Sequence, residues 1–322
     1  MKKMRNRTAA ILLCLFLFTS NVHAARLLIP VGQVIGLEIA DNRVTVAAFD
    51  RDLGQKAQEA GLQVGDRITN IDSIPIQSAA DVEKALKQSD GTVTLSVLRG
   101  EKNRQLQITP EITDDGPRLG VYLKQGVTGV GTVTWYDSQS GTFGVLGHGV
   151  NRQNGELLPM QQGRAYPATI LSVKKGKSGD PGHLVGALDS ATPIGTLYKN
   201  TPQGVFGKTQ TGWQGELLPI GKPEEIHTGP ATIRSTISGE QVQDYSVEIL
   251  KIYPNVRTNG RNMLLRVTDP NLLTTTGGIV QGMSGSPIIQ SGKIVGAVTH
   301  VLVNDPTTGY GIFIENMLDA AS

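Results

Sequence analysis

Ser284 stands in the run Gly282-Met283-Ser284-Gly285-Ser286-Pro287. A serine attacks a carbonyl only when its hydroxyl projects freely, a base takes its proton and nearby donors hold the oxyanion. Glycines around it permit a tight turn that aims N–H groups at one point, which a Cβ would obstruct. The backbone N–H groups of Gly282 and Ser284 are the candidate oxyanion donors. Ser286 is a second candidate nucleophile, with Pro287 better suited to the exit of the turn. The same residues could form an ordinary glycine-rich turn, so the reading depends on a histidine and a carboxylate elsewhere.

His148 closes the apolar run Phe143-Gly144-Val145-Leu146 between Gly147 and Gly149. A strand end with backbone freedom suits a base that must reach a serine on another strand. His183 lies in a turn and His227 in a polar loop. His300 competes, because it follows the serine hairpin Ile288 to Val298, and it reads either as the base or as a cleft wall beside Thr299. Asp269, in Val267-Thr268-Asp269-Pro270, lies between His148 and Ser284 and gives the order His, Asp, Ser. Asp180, Asp189 and Asp244 share that interval, and an Asp-Pro pair can simply end a strand. In the assembled mechanism Ser284 attacks, His148 takes its proton and Asp269 orients the imidazole. The order and the serine turn resemble those of chymotrypsin-like peptidases, and the resemblance implies that the residue six before the serine, here the uncharged Gly278, floors the specificity pocket.

These side chains need a scaffold of many short strands. Thirty-nine glycines and sixteen prolines in 322 residues, with abundant Val, Ile and Thr, indicate a mainly β chain of two domains. Lys2, Lys3, Arg5 and Arg7 precede an apolar run and then Val22-His23-Ala24, so residues 1–24 read as a signal peptide or membrane anchor. Without them 26 basic residues face 28 acidic ones, and no basic stripe appears, which argues against a nucleic-acid partner. Cys14, the single cysteine, lies in that leader. The exported part therefore has no disulfide, thiolate metal site or cysteine nucleophile. No metal or other cofactor is expected.

Residues 25–110 form one unit. Ser78 caps a helix through Lys87 that places Val82 and Leu86 on one face. The strands Thr92 to Arg99 and Arg104 to Ile108 close a hairpin. With Ala60-Gly61-Leu62-Gln63-Val64-Gly65-Asp66-Arg67-Ile68, this α+β unit resembles a PDZ domain. The resemblance implies an extended peptide added to a sheet edge, its end held by a loop of N–H groups. Ile35, Gly36 and Leu37 match that loop, with Val82 and Leu86 lining the side-chain pocket. Residues 111–118 read as a linker. The short strand candidates of residues 119–322, ending in a strand and a short helix, fit a chymotrypsin-like β-barrel serine peptidase domain.

The PDZ unit followed by the serine segment, Val295-Gly296-Ala297-Val298-Thr299-His300-Val301, Phe143-Gly144-Val145-Leu146-Gly147-His148-Gly149 and Thr268-Asp269-Pro270 together resemble the SpoIVB family of stage IV sporulation peptidases. The family's histidine, aspartate and serine fall on His148, Asp269 and Ser284. The resemblance implies an exported serine endopeptidase that cleaves a membrane-anchored regulator, allowing a late sigma factor to be processed. It also implies self-cleavage and PDZ-mediated control, with a PDZ ligand that could be the chain's own N-terminal region. The segment ahead of the PDZ unit is shorter than the family pattern. The competing reading is a PDZ adaptor whose peptidase-like domain only binds peptides. A quality-control protease would place its PDZ after the peptidase domain, against the order here.

Overall fold

Alternating apolar residues and frequent glycine turns give antiparallel strands throughout. The computed structural model describes residues 26–152, 154–189, 192–255 and 260–322. The leader assigned to residues 1–24 lies outside the described residues. Among those described, no helix is long and apolar enough to cross a membrane.

The chain opens with β1 (Leu27–Pro30) and β2 (Val34–Phe49). Then come α1 (Gln55–Glu59), β3 (Arg67–Ile71), β4 (Ile74–Pro75), α2 (Ala79–Lys87), β5 (Val93–Arg99) and β6 (Lys102–Ile108). A small hairpin of β7 (Glu111–Thr113) and β8 (Gly116–Arg118), the expected linker, leads into β9 (Val121–Asp137). β2 and β9 are 16 and 17 residues long and pair antiparallel from Val34↔Thr132 to Phe49↔Val121. Ordinary strands run about 5–6 residues, so this ribbon is long enough to join two bodies.

The far end of the ribbon carries the PDZ unit. Val44 and Val46 of β2 pack with Ile68, Ile71, Leu86 and Leu95. Ser78 caps α2 as expected: its Oγ accepts from Asp81 N–H at 3.2 Å, and Asp81 Oδ2 accepts from Ser78 N–H at 2.8 Å. The Gly-Asp pair of the motif also has a structural cause. Buried Asp66 accepts from Arg99 Nε and Nη2, both at 2.7 Å, and from Gln63 N–H at 2.9 Å. Arg99 donates further to Gly61 O at 2.7 Å, fastening the loop to β5.

The near end of the ribbon belongs to a barrel. Beyond β9 run β10 (Thr142–Val145), β11 (Gln162–Lys174), β12 (His183–Leu188), β13 (Gly195–Thr201) and β14 (Gly204–Lys208). The path β9-β10-β14-β13-β11-β2 returns to β9 through the β2–β9 pairing and closes a six-stranded ring. Ile35, Leu37, Val133, Phe143, Val145 and Leu197 fill it. After β15 (Leu218–Pro219) come β16 (Gly229–Thr236), β17 (Val242–Ile252), β18 (Met263–Val267), α3 (Pro270–Thr276), β19 (Pro287–Gln290), β20 (Lys293–Leu302) and β21 (Asp305–Phe313). The six strands after β15 form a second closed barrel around Ile233, Val247, Leu265, Ile288 and Val298. The terminal helix α4 (Ile314–Ala321) seats Met317 beside Trp135 and Phe206 of the first barrel.

This topology corrects two expectations. The stretch before Ala40, expected as the start of the PDZ unit, is woven into the first barrel. Ile35, Gly36 and Leu37 pair with β9 on one edge and with Pro167, Tyr166 and Ala165 of β11 on the other. With both edges filled they cannot receive an added strand. Val82 and Leu86 are 4% and 2% exposed and belong to the PDZ core. For the PDZ unit itself, Arg99→Met would leave Asp66 buried without its cation. Urea unfolding of the full chain should then show a lower midpoint; an unchanged midpoint would refute this role for the pair.

Candidate active site

The serine turn is built where the two barrels meet. Gly282 and Gly285 have φ of +101° and +97°. A Cβ on Gly285 would lie 2.0 Å from Thr132 O and 2.5 Å from Leu146 N, so the turn closes only with glycine there. Ser286 is 0% exposed; its Oγ donates to Met283 O at 2.7 Å and lies within hydrogen-bond distance, 3.0 Å, of Ser235 Oγ. That hydroxyl braces the turn and is no nucleophile. Ser284 faces the cleft. Its N–H and that of Gly282 make no hydrogen bond among the described residues, whereas their carbonyls are engaged. Gly282 O accepts from Thr132 Oγ1 at 2.8 Å and Ser284 O from Thr132 N–H at 3.0 Å. The arrangement leaves two donors free for an oxyanion.

The base loop leaves β10 through a reversal. Leu146 has φ +74° and Gly147 φ +69°. A left-handed leucine is sterically costly and is tolerated where the surroundings hold it. Leu146 N–H donates to Thr132 O at 3.2 Å, and Gly147 N–H to Val145 O at 2.9 Å. His148 follows, with Nδ1 2.9 Å from Gly149 O. A carbonyl only accepts, so Nδ1 carries the proton and Nε2 keeps its lone pair. Burial pushes the His148 imidazole below its ordinary value, against the Gly149 carbonyl, which raises it.

His300 stands beside it, ring centroids 5.2 Å apart. Burial first, then His148 and Arg261, push His300 down to about 4. Its Nδ1 is buried without a hydrogen-bond partner among the described residues. Both imidazoles are therefore neutral at neutral pH. Ser284 Oγ donates to Thr299 O at 2.8 Å, so in this conformation the hydroxyl proton rests on β20 and not on His148. Hollows of about 390 and 400 Å³ flank the imidazole pair. The first is walled by Leu37, Ile39, Val127 and Val150, the second by Pro181, Ile279, Val280, Val301 and Val303.

Ser284, Gly282, His148, Thr299 and His300 thus share one cleft. Two expected members lie elsewhere. Asp269 caps α3: Oδ1 accepts from Asn271 N–H at 2.9 Å and Leu272 N–H at 3.0 Å, and Oδ2 from Ser246 N–H at 3.3 Å. Its carboxylate is consumed by backbone donors, and no carboxylate bonds either imidazole among the described residues. Asp180 pairs with Lys174 and Asp244 with Arg234, while His183 and His227 are exposed. Gly278 is pressed against the Pro306 carbonyl, 2.1 Å from where its Cβ would be, and floors neither hollow. The residue that sequence reasoning missed is Thr132. It has no motif of its own, and its contact with Gly282 spans 150 residues.

Two outcomes follow from this geometry. Because His148 stays neutral below its ordinary pKa, modification of Ser284 by a serine-directed phosphonate should hold its rate as pH falls through 6.5 and decline only at lower pH. An acid limb at or above 6.5 would contradict the burial argument. Asp269→Ala should cost about 1 kcal/mol of stability through the lost cap, read by chemical denaturation.

A family profile described as SpoIVB peptidase S55 matches residues 115–318, well over half the chain, and a PDZ domain profile matches residues 51–99. Among curated proteins, the mitochondrial serine protease HTRA2 of Drosophila sechellia is 39% identical over 59 residues, 18% of this chain and 14% of that protein. A putative zinc metalloprotease of Mesorhizobium japonicum is 32% identical over 75 residues, 23% of this chain and 20% of that protein. The matches thus span a fifth or less of these relatives' length. Among solved structures, the inactive form of the Rv3671c protease from M. tuberculosis aligns with a TM-score of 0.35 and 13% identity, over 60% of this chain and 82% of that one. With the serine turn, the free N–H pair and the adjoining imidazole already placed, the profile match settles the matter: the chain belongs to the SpoIVB peptidase S55 family and carries a PDZ domain.

Proposed function

We propose that the protein is an exported serine endopeptidase that cuts a membrane-anchored regulatory protein in sporulation signalling. The observation that carries the chemistry is the turn at Ser284, whose two uncommitted N–H groups share a cleft with a neutral imidazole. Membership in the SpoIVB family supports the signalling role, and the basic-then-apolar leader supports export.

Ser284 Oγ leaves the Thr299 carbonyl, passes its proton to His148 Nε2 and bonds to the scissile carbonyl carbon. The carbonyl oxygen takes up the displaced electron pair and is received by the N–H groups of Gly282 and Ser284. Nδ1–H stays on the Gly149 carbonyl, which fixes the tautomer. The imidazolium then returns its proton to the leaving amine, and water repeats the sequence to release the acyl group. The apolar, uncharged walls of both hollows select apolar side chains around the scissile bond. Self-cleavage near the N-terminus and control through a PDZ ligand complete the proposal.

One observation favours a second reading, a peptide-binding adaptor without catalysis: the serine hydroxyl is donated to Thr299 O and no carboxylate bonds His148. Mass-spectrometric mapping separates the two. Wild-type protein should label at Ser284 with a phosphonate and generate new N-termini next to apolar residues, and Ser284→Ala should do neither. Labelling that survives in the alanine variant would exclude Ser284, and an unlabelled wild type would favour the adaptor. Cuts confined to charged residues would refute the apolar-cleft reading.

A further inference from the structure

We propose that Thr132 is the positioning residue that sets the oxyanion turn against the base loop. The proposal takes Ser284 to be the nucleophile. Thr132 is fully buried on β9, at the point where the ribbon enters the first barrel. Each of its polar groups is used at the site. The hydroxyl donates to Gly282 O at 2.8 Å, the N–H donates to Ser284 O at 3.0 Å, and the carbonyl accepts from Leu146 N–H at 3.2 Å. One residue therefore ties the nucleophile turn, from the second barrel, to the loop that bears His148, from the first.

The strand itself does not need the hydroxyl. Residue 132 lies opposite Val34 in the β2–β9 ladder, and a valine has nearly the same shape as threonine without the hydroxyl. What the hydroxyl supplies is a fixed direction for the Gly282 carbonyl. Gly282 has no Cβ and sits at φ +101°, and its carbonyl belongs to the Gly282–Met283 peptide, which lies between the two donor-bearing peptides and whose N–H donates to Val280 O at 3.1 Å. With Gly282 O and Ser284 O both drawn onto Thr132, the Gly282 and Ser284 N–H groups are left unbonded on the turn. Removing the hydroxyl leaves that peptide held on one side only, so ψ of Gly282 and φ of Met283 can shift and turn the flanking Gly282 and Ser284 N–H groups away from where charge develops. Substrate walls remain untouched, so binding should survive while chemistry slows.

The test uses the full chain and a peptidyl diaryl phosphonate with an apolar residue at the scissile position. Rates at several concentrations separate the binding constant KI from the limiting rate kinact. Thr132→Val should keep KI and lower kinact about 10- to 100-fold, the scale of a misplaced or lost oxyanion donor. Thr132→Ser, which restores the hydroxyl without the methyl, should stay close to wild type. Wild-type kinact in the valine variant would overturn the proposal, as would a serine variant as slow as the valine one. A purely packing role would move the melting temperature and spare the KI-against-kinact split. If the valine variant does not fold, Thr132→Ala against Thr132→Ser gives the same comparison. Labelled wild type with unchanged variants refutes Thr132 alone. Unlabelled wild type refutes the nucleophile and this proposal with it.

Discussion

The joint at Thr132 is the constraint on which the site's geometry depends. A serine on one barrel and a histidine on the other can meet only if the barrels are held in register to a fraction of an ångström, because misplacement of that order costs rate steeply. Apolar packing alone is non-directional and cannot specify such a register. Directional hydrogen bonds can, and here three converge on one buried residue, two of them between backbone groups. Gly285 shows how tight the joint is. Its missing Cβ is the space through which the Thr132 carbonyl reaches Leu146. The strained leucine at φ +74° is the cost of bringing the His148 loop back to that point.

The same ribbon gives the PDZ domain its place in the chain's logic. It is not a bead on a linker ahead of a peptidase. β2 leaves the first barrel, supplies Val44 and Val46 to the PDZ core, and β9 returns to the barrel carrying Thr132. The hairpin of residues 111–118 adds to the attachment, with Arg118 reaching Glu83 of α2 at 3.1 Å. An insertion on a paired ribbon is stiffer than one on a single strand, because every hydrogen-bonded pair must move together. A change in the pose of the PDZ unit is thus mechanically connected to the residue that sets the oxyanion turn.

Much of this was legible in the sequence because it is written locally. Glycines around Ser284 and His148, the Ser78 cap with Asp81, and the alternating strands each declare themselves within a few residues. What was not legible depends on partners distant in sequence. Gly36 looks like a carboxylate loop in isolation and becomes an interior strand position only when β11, some 130 residues on, takes its second edge. Asp269 has the right order for a triad member. Yet the Pro270 that makes it look like a strand end also starts a helix, and an aspartate there is drawn to the helix's free N–H groups. Gly278 reads as a pocket floor only from its distance to the serine along the chain, and its backbone is instead pressed onto Pro306. Thr132 carries no signature, since threonine in a strand is ordinary until its two carbonyl partners are known.

The electrostatics of the imidazole pair show what the described conformation lacks and what would complete it. Burial disfavours the charged form of both rings, and His300 is held down further by its neighbours. A general base works best with a pKa near the operating pH, so an imidazole depressed by burial is a weaker acceptor for the serine proton. The Gly149 carbonyl offsets part of that by accepting from Nδ1, but a neutral carbonyl stabilises an imidazolium less than a carboxylate does. Meanwhile the serine proton has a competing acceptor in Thr299 O. Both features act in the same direction: in the proposed reaction they leave Ser284 positioned in the cleft with its proton held away from His148. Any change that seats a further acceptor or anion against the imidazole, or draws Ser284 off Thr299, raises the base and frees the hydroxyl together. The first barrel carries the histidine and the PDZ ribbon, the second carries the serine, and the interface between them is where such a change must act.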